Sequence, residues 1–173
     1  MRILDMKDNK LTVTPELLGI SPFKELWEAD KSKDKEVVMK QFKYMWYSSD
    51  YASPYFKYPM KERQALVMKD VIKDTKYKVS KELDEAIIKY RELTESPAIK
   101  SIASAFAFMN RLEEFFTNVD LADMKSPKTI TDMFASMPKV VAALNEAKEA
   151  AEKDQAKGIK IRGGAALGMF EDG

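Results

Sequence analysis

The chain has 173 residues, 29 Lys plus Arg against 28 Asp plus Glu, and neither His nor Cys. The two absences exclude imidazole bases, Ser-His and Cys-His nucleophile pairs, thiolates and disulfides. They also remove the usual ligands of zinc, haem and iron–sulfur centres. A net charge of +1 argues against a general grip on nucleic acid, which needs a basic excess or a basic stripe.

What is left for chemistry is carboxylates, Lys, Tyr, Ser and Thr. The expectation is a structural or interaction protein, with no catalytic residue, no metal site and no cofactor. Met1-Arg2-Ile3-Leu4-Asp5 meets charge at once and lacks the apolar stretch of a signal peptide. No run approaches the roughly 20 apolar residues that cross a bilayer. Synthesis in the cytoplasm and no membrane partner are therefore expected.

Residues 2–14 read as a hairpin: Ile3-Leu4, a turn at Asp8-Asn9, then the alternating Leu11-Thr12-Val13-Thr14. Thr14-Pro15-Glu16 starts a helix with Pro in its first turn. Ser21-Pro22-Phe23 repeats that signal, with Ser21 as the expected cap and Phe23, Leu26 and Trp27 on one face. Lys31–Lys35 is a charged connector. Lys31, Lys33, Lys35 and Lys40 are balanced by Asp30, Asp34 and Glu36, so the segment reads as a solvated turn.

From Glu36, the residues Val37, Val38, Phe42, Met45 and Trp46 recur at helical spacing until Ser48-Ser49-Asp50. Residues 50–59 form an irregular aromatic loop. Pro59 opens a helix carrying Ala65, Leu66, Met68, Val71 and Ile72, and Ser80 opens another with Leu83, Ile87, Ile88 and Tyr90. Ser96-Pro97 opens the most apolar segment: Ile99, Ile102, Phe106, Met109, Leu112, Phe115 and Phe116. Its apolar residues wrap far around the helix, which predicts the central core helix.

A loop is expected at Asn118–Lys125. A short helix then runs from Ser126-Pro127 through Phe134, with a break or kink at Met137-Pro138. The last helix extends to about Lys157. Beyond Leu144 it is Ala, Glu, Lys, Asp and Gln, good helix formers with little to bury. Ala143, Ala147 and Ala151 form a smooth face for close approach of another helix.

Five of the six glycines fall in residues 158–173. Gly158 predicts a helix stop, Ile159-Lys160-Ile161-Arg162 a short extended strand, and Leu167, Met169 and Phe170 apolar anchors near the end. The expected fold is mainly α, a helical bundle of about five to seven helices. It has a small N-terminal β-hairpin (1–14), a helical body (15–157) and an extended Gly-rich C-terminal docking arm (158–173).

Three features carry functional readings. Phe42, Tyr44, Trp46, Tyr47, Tyr51, Tyr55, Phe56 and Tyr58 are eight of the chain's eighteen aromatic residues. They read as a base-stacking or carbohydrate platform, or else as a core edge or subunit interface. Candidate interface residues are Trp46, Tyr47, Tyr51, Tyr55, Phe56 and Tyr58, with Ala143, Ala147 and Ala151.

The tail lacks the Lys and Ser/Thr of a phosphate loop, and Arg162-Gly163-Gly164 occurs once, without the repetition of an RNA-binding element. It reads either as a docking arm through Ile159, Ile161, Arg162, Gly163, Gly164, Leu167, Met169 and Phe170, or as chain that is disordered or packs back on itself. Asp5, Asp8, Glu113, Glu114, Asp120 and Asp123 lack the spacing of a Ca²⁺ loop and read as solvated faces.

Several stretches resemble small virion proteins of tailed phages, especially the neck proteins of crAss-like podoviruses. They are Ser21-Pro22-Phe23-Lys24-Glu25-Leu26-Trp27, Asp30-Lys31-Ser32-Lys33-Asp34-Lys35, Asp50-Tyr51-Ala52-Ser53-Pro54-Tyr55, Tyr58-Pro59 and Glu62-Arg63. The likeness covers residues 1–72; beyond that the helical body and Gly-containing arm resemble head–tail connector adaptors in architecture. The resemblance implies a virion protein of the neck or tail that forms a homo-oligomeric ring, commonly of twelve copies. Such a ring sits against the portal protein and other neck or tail proteins, with DNA passing through the centre. The arm would be residues 158–173.

Two other classes stay open at this point. One is a monomeric helical protein-binding or scaffold module. The other is an enzyme using carboxylates and a metal.

Overall fold

The computed structural model describes residues 3–7, 10–118 and 127–163, with residues 127, 129 and 155–163 described by backbone only. The fold is mainly helical, with one small antiparallel sheet. Strands β1 (Leu4–Lys7) and β2 (Lys10–Val13) pair Leu4 with Val13 and Met6 with Leu11. The alternation places these four apolar residues on one face, as the sequence predicts. The predicted turn at Asp8-Asn9 lies outside the described residues.

Helix α1 (Pro15–Leu18) starts at its proline and buries Leu17. Thr14 does not cap it. Its hydroxyl donates to the Ile3 carbonyl at 3.2 Å and ties the helix start to β1. Helix α2 (Ser21–Ala29) is capped by the backbone of Ile20, which corrects the expected role of Ser21. Ser21 sits inside the first turn and donates to the Glu25 carboxylate. Phe23 and Leu26 are buried.

The connector before α3 (Glu36–Ser49) exposes Lys31, Lys33 and Asp34 as a solvated turn would, but Asp30 at its start is turned inward. Asp30 is 8% exposed, and its carboxylate accepts from the Ser32 amide at 2.8 Å and the Val38 amide at 2.9 Å. It therefore satisfies one of the orphan amides at the start of α3 from eight residues away. Val38, Phe42, Met45 and Trp46 are buried on α3, whereas Val37 turns outward.

Helix α4 (Met60–Val67) turns Arg63 and Val67 inward, then widens into a π turn at Met68–Ile72. A wider turn closes on residues five apart, which brings Ile72 to the buried side beneath Val67. Helix α5 (Lys81–Thr94) is capped as expected: Ser80 Oγ accepts from the Leu83 amide at 3.2 Å. Its buried residues are Leu83, Ala86, Ile87 and Tyr90, a three-and-four spacing that packs on α2 and α3.

The chain divides into two compact units. Among the described residues, one holds those through Glu95 together with 153–163, and the other those of 96–152. The core of the first unit runs from Ile3 to Tyr90 and is built from the hairpin and α1 to α5, with Phe23 edge-on to Phe42 at 6.4 Å.

The second unit corrects the expectation of a central core helix. Helix α6 (Pro97–Asn118) buries only Ile102 and Leu112 fully. Helix α7 (Pro127–Gly163) runs on through Pro138 and Gly158, so neither the break at Met137-Pro138 nor the strand at Ile159–Arg162 forms. Phe116 stacks on Phe134 at 4.8 Å and Lys148 lies over Phe106 at 5.7 Å. Numbers that rise along α6 fall along α7, so the two helices run antiparallel.

Candidate interaction site

The predicted aromatic cluster assembles at the end of α3 and the loop that follows. Trp46 and Phe56 are buried, while Tyr47, Tyr51, Tyr55 and Tyr58 are half-buried. Trp46 meets Tyr47 edge-on at 4.9 Å, and Tyr47 meets Tyr55 edge-on at 5.8 Å. A base-stacking platform needs open ring faces. Here Trp46, Tyr47 and Tyr55 pack edge-on, as rings at a core edge or a subunit interface do. Burial pushes the Tyr47 and Tyr55 phenols above the ordinary tyrosine value, so both stay protonated.

Two polar groups fix this loop. Arg63 is 8% exposed, and all three guanidinium nitrogens donate to main-chain carbonyls. Nη1 reaches Ser48 at 3.2 Å, Nη2 reaches Phe56 at 2.6 Å and Tyr58 at 2.9 Å, and Nε reaches Tyr58 at 3.2 Å. Its plane also lies 4.4 Å from the Phe56 ring centre. Burial, with Arg91 adding repulsion, lowers the Arg63 guanidinium to about 10. The second group is Asp50, which accepts from the Ala52 amide at 2.8 Å and from the Tyr90 hydroxyl. Ser53 Oγ donates to the Tyr47 carbonyl at 2.6 Å.

Residue-by-residue reading did not single out Arg63 for this role, because Glu62-Arg63-Gln64 looks like solvated helix surface. A signal was present nonetheless. Residues 50–59 have no strand or helix partner for their carbonyls, and those carbonyls need donors.

The remaining predicted residues scatter. Ala143 is exposed, Ala147 half-buried and Ala151 buried, so the alanines do not form one open face. Ile159, Ile161, Arg162 and Gly163 lie on α7, whose backbone alone is described there. Gly164, Leu167, Met169 and Phe170 lie outside the described residues, as do Asp8, Asp120 and Asp123. Among the described residues no three acidic side chains converge as a metal site would require, and no helix is long and apolar enough to cross a membrane. An open depression of about 610 Å³ is lined by Leu26, Ala29, Asp30, Lys31, Ser32, Val37, Gln41, Ser80 and Glu82. The Asp30 carboxylate in it is already engaged by the Ser32 and Val38 amides.

The second unit presents a different surface. Phe134 is 58% exposed, Val141 44% and Phe108 43%. Half-buried Phe115 contacts Phe116 edge-on at 5.6 Å. Among the described residues the first unit exposes Val37, Met60, Ile88 and Leu93, so the second unit differs in carrying exposed aromatic rings. No protein-family model, curated protein or solved structure matches the chain.

Proposed function

We propose that the protein is a structural component of a tailed-phage virion, a neck or head–tail connector subunit that assembles into a ring and joins the portal to the tail. The resemblance over residues 1–72 supplies the setting. One observation carries the reading: the polar residues in the resembling stretches spend their contacts on the chain's own fold. Asp30 holds the start of α3, and the Lys35 ammonium donates to the Trp27 carbonyl at 2.9 Å and the Asp30 carbonyl at 2.6 Å. Ser53 turns onto the Tyr47 carbonyl of α3, Arg63 onto the loop carbonyl of Phe56, and Asp50 accepts from Tyr90.

Those residues hold a shape, as a connector requires. The exposed apolar groups of α6 and α7 supply surface for partners, and near-neutral net charge suits copies crowded around passing DNA. A short arm repeated around a ring multiplies weak contacts, since each linked contact gains effective concentration.

The test is electron microscopy of the protein mixed with the portal of its particle. A ring seated on the portal is expected, and removal of residues 158–173 should weaken that seating. A single chain that ignores portal at high concentration would instead favour a monomeric helical binding module.

A further inference from the structure

The second unit is a two-helix layer with apolar groups on both of its sides. Residues seven apart on a helix stand within about 20° of one another. Phe134, Val141 and Lys148 therefore form one row on α7, and Phe108 and Phe115 one row on α6. Phe106 and Phe108 are two residues apart, so they point to opposite flanks of α6. The Lys148 ammonium over the Phe106 ring fixes which flanks belong together. The Phe134–Val141 row shares a side with Phe106, and the Phe108–Phe115 row faces the other way.

The charges divide in the same manner. Glu113 stands seven residues from Phe106, and Glu152 four from Lys148. That side holds these two acids and Glu149 against Lys148, two acids in excess. The opposite side holds Lys100, Arg111, Lys128 and Lys139 against Asp132 and Glu146, two bases in excess, and Glu114 points outward between the two.

A two-fold dimer needs only one self-complementary patch. Two different apolar rows on opposite sides, with opposite residual charge, fit a head-to-tail contact that repeats and closes into a ring. We infer that copies of this chain join through the α6–α7 hairpin, the Phe134 and Val141 side of one seating on the Phe108 and Phe115 side of the next. This rests on the connector reading for its setting and names the subunit interface of that ring.

The absence of Cys makes the test clean. A chain carrying both Phe108→Cys and Phe134→Cys, treated with a short bismaleimide, should give a ladder of trimers and larger products. Each single variant alone should stay uncrosslinked. Light scattering of the unmodified protein should give multiples of 19.8 kDa, and Phe134→Glu should reduce them to one chain while circular dichroism keeps its helical signal. If that variant loses its helix, Val141→Glu on the same row takes its place.

Dimers from the Phe134→Cys variant alone would overturn the head-to-tail contact in favour of a two-fold one. Multimers that survive both glutamates would overturn this interface and leave the connector reading standing on another surface. A single-chain mass at every concentration, with and without portal, would overturn both.

Discussion

Tyr90 donates its hydroxyl to the Asp50 carboxylate across 40 residues of chain, and both side chains are buried. The bond fastens the end of α3 to the middle of α5. A hydrogen bond to a charged acceptor contributes about 2 kcal/mol, and Tyr90→Phe deletes it with little change in shape. Urea unfolding of Tyr90→Phe should show a loss of that size. A change within a few tenths of a kcal/mol would place the fastening elsewhere.

Arg63 is the donor for the Ser48 carbonyl at the end of α3 and for the loop carbonyls of Phe56 and Tyr58. Arg63→Met keeps the bulk and strands those acceptors, so a loss of about 3 kcal/mol is expected. Arg63→Lys offers one ammonium where a planar fork was needed, and should recover only part of it. Equal unfolding midpoints for the two variants would contradict the clamp.

The Tyr44 hydroxyl is buried and, among the described residues, has no hydrogen-bond partner. Its ring lies 5.5 Å from that of Tyr77, and burial raises its phenol above the ordinary value. Removing an unsatisfied buried hydroxyl costs nothing that folding had gained. Tyr44→Phe should leave stability unchanged or raise it by up to about 1 kcal/mol, and a clear loss would reveal a partner for that oxygen.

Asp30 sets an acid limit. The Val38 amide first, then Ser32, holds its carboxyl down at about 2 from an ordinary 3.8. A lowered carboxyl contributes its stability above the unfolded value and loses it as pH falls from 3.8 toward about 2. Asp30→Asn should therefore be less stable than the parent above that window. The gap should close across it, as read by unfolding at a series of acid pH values. A gap independent of pH would show that the charge plays no part.

Lys35 and Lys73 both adopt φ 55, the left-handed region that costs a side chain energy. Lys73 is exposed and ends the π turn through its backbone, so Lys73→Gly should raise stability by about 1 kcal/mol. Lys35 differs because its ammonium donates to two carbonyls. Lys35→Gly relieves the same strain but loses those bonds, and it should show no gain. Thermal melts of the pair make the comparison directly.

Local signals predicted the local features well. The alternation at Leu11–Val13, Pro15 in a first turn and Ser80 before α5 each act within a few residues, and each forms as expected. The aromatic loop was legible as a loop, but its clamp was not, because Arg63 meets Ser48 only after α3 and α4 pack.

The breakers failed for a reason of magnitude. A proline costs a helix about 3 kcal/mol and a glycine about 1, penalties paid once against 37 residues of favourable helix. At Pro138 the Phe134 carbonyl loses its usual donor, and the Ser136 hydroxyl donates to the neighbouring Met133 carbonyl at 2.6 Å. The apolar pattern of α6 was real, but apolar periodicity reports a wish for burial and not where it is met. With only one helix partner in its unit, α6 leaves Phe108 open.

The confinement of the main core to residues Ile3–Tyr90 has a consequence for order in time. A ribosome delivers the chain from its N-terminus, at roughly 5–20 residues per second. Every side chain of that core has been translated before Phe108 or Phe134 exists. The helices proposed to join copies are therefore made after every residue that completes the first unit's core, so a nascent chain holds the whole of that core before it holds Phe134.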